Sequence, residues 1–409
     1  MNKLFFISWL AIWITIFFAH SKAFLWIGFS LVTLLFLINL VRAPKALLNL
    51  PKGILILNTI FLFFLLPFAF MPPNIIRTFE DFLKNYLFHI TLALFLALKL
   101  KEEPEFYKSP LFYLPPALTC LVVSLHHLYS GIKLCLTNNQ CPSTVFIAND
   151  ISLLKGIVNT PSAFVFIFFL FLSLYFDENK NKFKCFFLFT SLLALFMQIL
   201  LGRRASLLSI ILSTLILGVL SKHRVIKIIG LSIGLGLSLI IGILLTIPEG
   251  RNILIRSDKI HLLFQGRYAE AGSLGERIYM WQIYFKKASK NPFSGTGIGW
   301  KTQKLSLPQT NELALRHGNP HNLFLNIWLQ AGLHTLITFL LLCFYNIFKI
   351  YKLWHFNPKK SIHGFLLGYL FAFLIISFFF GTDEGTGFTP FWITSGLIWG
   401  LNEKNSLSS

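Results

Sequence analysis

Twelve apolar runs recur along the 409-residue chain, at about 4–19, 23–41, 53–71, 86–98, 111–130, 161–176, 185–202, 206–220, 226–247, 322–347, 364–381 and 390–402. A helix crossing a bilayer needs roughly 17–25 largely apolar residues. Backbone surrounded by lipid has to satisfy its own hydrogen bonds, which leaves few folds besides a helix bundle. The expectation is an all-α, polytopic membrane protein with about 12 transmembrane helices in a single domain, 1–409. With 55% hydrophobic and only 13% charged residues, a soluble fold is excluded. The first run has no small-residue cleavage site and a second follows at once, so it reads as an anchor and not as a removed signal peptide.

Lysine and arginine in the short loops set the orientation. With the N-terminus cytoplasmic, the inside segments hold 18 of the 36 Lys and Arg and the short outside loops hold seven. The other 11 fall in one long segment, residues 248–321, inserted between the ninth and tenth spans. Both termini are thus expected in the cytoplasm and the long loop outside, in the periplasm or beyond the cell. Cys135 and Cys141 share another outside loop, where they either close a disulfide or stay free thiols. Cys120, Cys185 and Cys343 lie in spans and read as packing residues.

Apart from Lys227 at the start of the ninth run, no span contains a Lys, Arg, Asp or Glu. Pumps and ion-coupled carriers keep ionisable groups along their path through the bilayer. Here charge is pushed to the rims, which argues for chemistry at the outer face. The long loop carries 11 basic residues against five acids, Glu249, Asp258, Glu270, Glu276 and Glu312. Such a surface attracts membrane lipids, phosphates or lipopolysaccharide, with no nucleic acid expected. Within it, residues of about 274–290 follow a candidate cap at Ser273 or Gly275. Ile278, Trp281, Tyr284 and Phe285 recur there at helical spacing, predicting an amphipathic helix along the interface. Asn291 to Gly299 then breaks the helix as an adaptable turn.

Three groups can carry chemistry. Arg203 and Arg204 sit in a very short outer turn and Arg277 on the amphipathic helix. Guanidinium binds phosphate oxygens bidentately and keeps its proton, so two could hold a pyrophosphate and stabilise it as it leaves without a metal. The plainer reading makes the Arg203–Arg204 pair a topological anchor. His321 follows Asn319-Pro320 at the start of the tenth span, where an imidazole can take a proton from an attacking hydroxyl. Its plainer role is to cap or anchor the helix at headgroup level. Asn322 could orient an acceptor or the helix start, and Asn326 and Gln330 continue one helix face. Glu276 is a second candidate base, His317 could compete with His321, and Asp383 and Glu384 have at most a positioning role. His334 lies deeper and reads as a packing group, and His126 and His127 as interfacial.

His321-Asn322, nine residues, Gly332, two residues and Thr335 are similar to the histidine motif of bacterial O-antigen ligases (WaaL type) of the O-antigen ligase/polymerase (Wzy_C-like) superfamily. Gly202-Arg203-Arg204-Ala205-Ser206 resembles the short arginine turn of those enzymes, with Arg204 the matching residue. Gly275 to Trp281, with Pro292 to Gly299 behind it, resembles their Arg-x₃-Trp and Pro-x-x-Gly-x-Gly run. The resemblance covers about 202–335. It implies a GT-C-like fold and a metal-independent inverting glycosyltransferase with no cofactor. The enzyme would sit in the bacterial inner membrane with a periplasmic active site. It would move O-antigen from undecaprenyl pyrophosphate to lipid A–core. His321 would be the base, Arg204 and Arg277 the pyrophosphate binders, and Arg203, Asn322 and Glu276 further substrate contacts.

An O-antigen polymerase would share the donor chemistry, and a protein O-oligosaccharyltransferase is a third member of the class. The latter fits less well, since the chain ends inside without a sizeable outer domain. A lipid-linked oligosaccharide flippase is the alternative from another class, and charge-free spans argue against it.

Overall fold

The computed structural model describes residues 2–17, 22–137, 161–200, 204–221, 224–246, 262, 265–270, 272–299, 302, 320–358, 360–379 and 388–401. These residues form α1 (Asn2–Phe17), α2 (Lys22–Arg42), α3 (Lys52–Ala69), α4 (Ile75–Phe82), α5 (Phe88–Glu102), α6 (Pro110–Thr137) and α7 (Pro161–Asp177). The chain continues with α8 (Asn181–Leu200), α9 (Arg204–Leu220), α10 (Arg224–Thr246), α11 (Gly272–Lys290), α12 (Leu323–Phe356), α13 (Ser361–Phe379) and α14 (Thr389–Gly400). A π-helical turn, Leu83–Leu87, joins α4 to α5. Among the described residues there is no strand.

Each of the twelve apolar runs coincides with a helix, and α4 and α11 are additional to them. Seven helical stretches of the described residues are long and apolar enough to cross a membrane, and four shorter apolar helices accompany them. The protein is an all-α, multi-pass membrane protein, as hydropathy predicts. Large apolar side chains such as Leu34, Phe63, Leu125, Phe189 and Phe344 stay exposed on the helix flanks. That pattern suits a lipid solvent, which makes no demand that such side chains be buried.

The interior is aromatic. Trp9 and Trp13 of α1, Phe112 of α6, Phe166 of α7 and Tyr369 of α13 are buried in one continuous core with Phe391 and Trp392 of α14. Helices approach closely where side chains are small. A Cβ added at Gly396 of α14 would lie 2.5 Å from the Ala93 carbonyl oxygen of α5, so backbones touch there. Cys120 and Cys343 pack in the interior, whereas Cys185 is exposed on α8. His127 is buried within α6. The Cys135 side chain and Cys141 lie outside the described residues.

The helix α12 departs most from its sequence pattern. Its apolar run is continuous, yet Ala331 (φ −139°, ψ 16°) and Gly332 (φ 82°, ψ 167°) are not helical. The outer turns, Leu323 to Gln330, therefore form a half-helix whose direction the inner half does not dictate. Gly332 permits this because an L side chain at that φ is strained. Two carbonyls next to the break, those of Leu329 and Gln330, need donors from elsewhere.

Candidate active site at the broken helix

The donors come from the segment after α11. Thr296 N–H donates to the Leu329 carbonyl at 2.9 Å and Gly297 N–H to the Gln330 carbonyl at 3.1 Å. In return Leu333 N–H donates to the Pro292 carbonyl at 2.7 Å, and the Trp328 indole N–H reaches the same oxygen at 3.0 Å. On the far side Ile298 N–H donates to the Phe68 carbonyl of α3 at 3.3 Å. Asn291–Gly299 is thus a plug in the break of α12 and not the adaptable turn its composition suggested. A Cβ at Gly295 would fall 2.0 Å from the Gln330 carbonyl oxygen, and one at Gly299 2.2 Å from Asp81 Oδ2. Gly295 lets backbone reach backbone, as non-helical chain within a bundle requires, and Gly299 makes room for a carboxylate.

The plug places α11 on the half-helix. Met280, Tyr284 and Ala288, spaced one turn apart, are buried against Leu325 and Leu329 of α12. The helix docks on the protein through this stripe, which lies beside the Ile278–Trp281–Phe285 one. The Ile278–Trp281–Phe285 stripe, with Asn322, Phe324, Leu325, Trp328 and Leu336, lines an open groove of about 410 Å³. The helix begins at Gly272, ahead of both candidate caps. Burial on the flank of α11 holds the Lys287 ammonium below the ordinary lysine range.

Trp281 fixes where α11 meets the start of α12. Its indole N–H donates to the Pro320 carbonyl at 2.7 Å, and its ring meets Phe378 edge-on at 5.3 Å. The next residue, His321, is half-buried and has φ 49°, the only positive φ outside glycine among the described residues. Non-glycine residues in this region cost of order 1–3 kcal/mol and cluster at functional sites. Asn322 then caps α12, its side-chain oxygen accepting from Leu325 N–H at 3.0 Å. Its amide donates to the Phe378 carbonyl of α13 at 3.1 Å. The side chain pins the helix start to α13, the second of the two roles its sequence position allowed.

Arg277 precedes Trp281 by one turn on α11, so it shares the side of the helix that reaches Pro320 and His321. Arg277 and Glu276 are both half-buried. The Trp281–Pro320 hydrogen bond thus ties the helix that bears Glu276 and Arg277 to the segment that bears His321 and Asn322. Arg204 is the first residue of α9, but its side chain, Arg203, His317, Asp383 and Glu384 lie outside the described residues. Asn326 and Gln330 point into the core, both buried, where Gln330 Nε2 donates to Asn326 Oδ1 at 3.4 Å. His334 packs among aromatics, edge-on to Phe64 at 4.6 Å. Among the described residues no three His, Cys, Asp or Glu group together as metal ligands.

Sequence reasoning passed over Trp281 as an organiser, and over Tyr86, Asp81 and Phe378 altogether. The Trp281 signal was available, one turn after Arg277. The others are ordinary residues of apolar or amphipathic stretches, and nothing in their spacing marks them.

These features define a multi-pass helical membrane protein with a strained residue, His321, at the start of a broken helix. Residues 189–340 match the family model described as O-antigen ligase (Wzy_C). The matched stretch runs from α8 through the outer half of α12 and includes every arginine and histidine proposed above for chemistry. A comparison with curated proteins finds no match.

Proposed function

We propose that the protein is an O-antigen ligase: a metal-independent inverting glycosyltransferase with a GT-C-like fold in the bacterial inner membrane. It moves glycan from undecaprenyl pyrophosphate to lipid A–core at the periplasmic rim, with both termini cytoplasmic. The observation that carries this reading is the Trp281–Pro320 hydrogen bond, which ties the turn bearing Arg277 to the residue before His321. In the reaction an acceptor hydroxyl oxygen bonds to the anomeric carbon as the bond from that carbon to the pyrophosphate oxygen breaks. Inversion needs the base and the leaving group on opposite faces. His321 takes the hydroxyl proton. Arg277 and Arg204, with Arg203 beside them, receive the pyrophosphate charge, and Asn322 and Glu276 border the acceptor.

The packing of α9 on α13 supports including Arg204. A Cβ added at Gly368 of α13 would lie 2.6 Å from Leu217 Cδ1 of α9. In the expected topology the two helices run antiparallel. Arg204 lies about 20 Å along α9 from Leu217, and Phe378 about 15 Å along α13 from Gly368, at 1.5 Å per residue. Both then reach the same rim, and the positive end of the α9 dipole adds to the arginine there.

The test is transfer from purified lipid-linked glycan to purified lipid A–core, with and without a chelator. Transfer is expected to survive the chelator. Arg277→Ala is expected to cost about 10²–10³-fold in rate, the loss seen when one preorganised donor to a developing anion is removed. Unchanged transfer would remove Arg277 from the mechanism. Trp281→Phe keeps the ring but loses a hydrogen bond worth about 1 kcal/mol. It should slow transfer about fivefold, at 1.36 kcal/mol per tenfold, at normal protein abundance, measured by turnover per detergent-extracted molecule. The same site would serve a polymerase. Lipopolysaccharide from a deletion strain separates the two, since loss of a ligase leaves long polymer unattached and loss of a polymerase leaves single repeats attached.

A further inference from the structure

We infer that Tyr86 is a positioning residue for His321, holding the outer half of α12 in register through Gln330. The break at Ala331–Gly332 removes the helix continuity that would otherwise fix that half. The Tyr86 hydroxyl donates to Gln330 Oε1 at 3.0 Å, across 244 residues of sequence, at the last helical residue before the break. From Gln330 the chain of hydrogen bonds runs to Asn326 Oδ1 at 3.4 Å. Asn326 N–H then donates to the Asn322 carbonyl at 2.9 Å, one residue from His321. Each link is one turn higher on α12, so a shift at Gln330 is carried to the histidine.

Two further observations single out Tyr86. It lies in the π-helical turn Leu83–Leu87, and such turns recur at functional sites. Its hydroxyl, Gln330 and Asn326 are all buried where an apolar trio would pack without cost. Buried polar groups are expensive unless fully bonded, and where bonded they specify one arrangement over its neighbours. A leucine or phenylalanine set would keep the bundle but leave the register of the half-helix to the plug and to the Asn322 tie.

The inference rests on the proposed transfer reaction. Displacing a reacting group by about 1 Å can cost of order 10²-fold. Tyr86→Phe is expected to lower kcat roughly 10- to 100-fold, with KM for the lipid-linked donor within about twofold of the parent. The double variant Tyr86→Phe/Gln330→Met removes both partners of that bond, at the cost of the Gln330 donor to Asn326 Oδ1. It is expected to melt near Tyr86→Phe and still be slow. Tyr86→Phe with parental kcat, or full recovery of kcat in the double variant, would overturn the positioning role. Absence of transfer by the parent protein itself would instead sink the underlying reaction, so the two failures are told apart.

Discussion

Replacing His321 is expected to lower glycan transfer about 10²–10⁴-fold, the usual worth of a general base. The informative variant is His321→Asn, because the residue sits at φ 49° and asparagine tolerates that region better than alanine does. The helix start does not depend on the imidazole, since Asn322 supplies the cap to Leu325 N–H and the tie to Phe378. Trp281 holds Pro320 through a backbone carbonyl, which the substitution leaves in place. His321→Asn should therefore reach the membrane in normal amount and bind donor, with chemistry alone impaired. Single-turnover transfer under saturating donor reads the effect. Parental kcat would eliminate His321 as base and leave Glu276, half-buried on α11, as the candidate.

The second large effect is expected from Gly332→Ala. Its φ of 82° with ψ 167° belongs to glycine, and an added Cβ would stand 2.6 Å from the Phe293 carbonyl oxygen. The backbone conformation alone costs about 1–3 kcal/mol for another residue. The clash is with main chain, so no rotamer relieves it, and the plug has to leave the break or the break has to close. Either outcome strips donors from the Leu329 and Gln330 carbonyls, each a buried acceptor costing about 1–3 kcal/mol when unsatisfied. The variant should lose transfer nearly completely and melt at lower temperature, measured by heating the detergent-solubilised protein before size-exclusion chromatography. Gly236, which has open space around it, is the control, and Gly236→Ala should change neither quantity. A Gly332→Ala protein with parental melting and transfer would mean that the plug is not seated there in the working protein.

Much of the bundle was legible in the residues. Every apolar run became a helix, and a period of 3.6 with lysines at one end located α11 to within a few residues. Asn322 could be read as a helix start, because asparagine before an apolar run is a strong cap. The plug could not be read. Ala331 and Gly332 interrupt a run whose hydropathy never falls, and glycine inside an apolar helix is commonplace. The loop from Asn291 to Gly299 carries turn residues, but composition does not say which carbonyls will receive its N–H groups. The double apolar face of α11 was half visible, in that Met280, Tyr284 and Ala288 share a spacing the Trp281 stripe overshadowed.

Sequence alone determined that this protein lives in a membrane and where its helices lie. Those are consequences of how each short segment partitions between water and hydrocarbon, a property it carries without its neighbours. Tertiary structure decided that the tenth apolar run is broken, that the loop behind Arg277 fills the break, and that Trp281 and Tyr86 hold opposite ends of the half-helix bearing the histidine. Those pairings join residues 39 and 244 positions apart. They are set by which buried carbonyls lack donors after packing, and a local pattern holds no record of that.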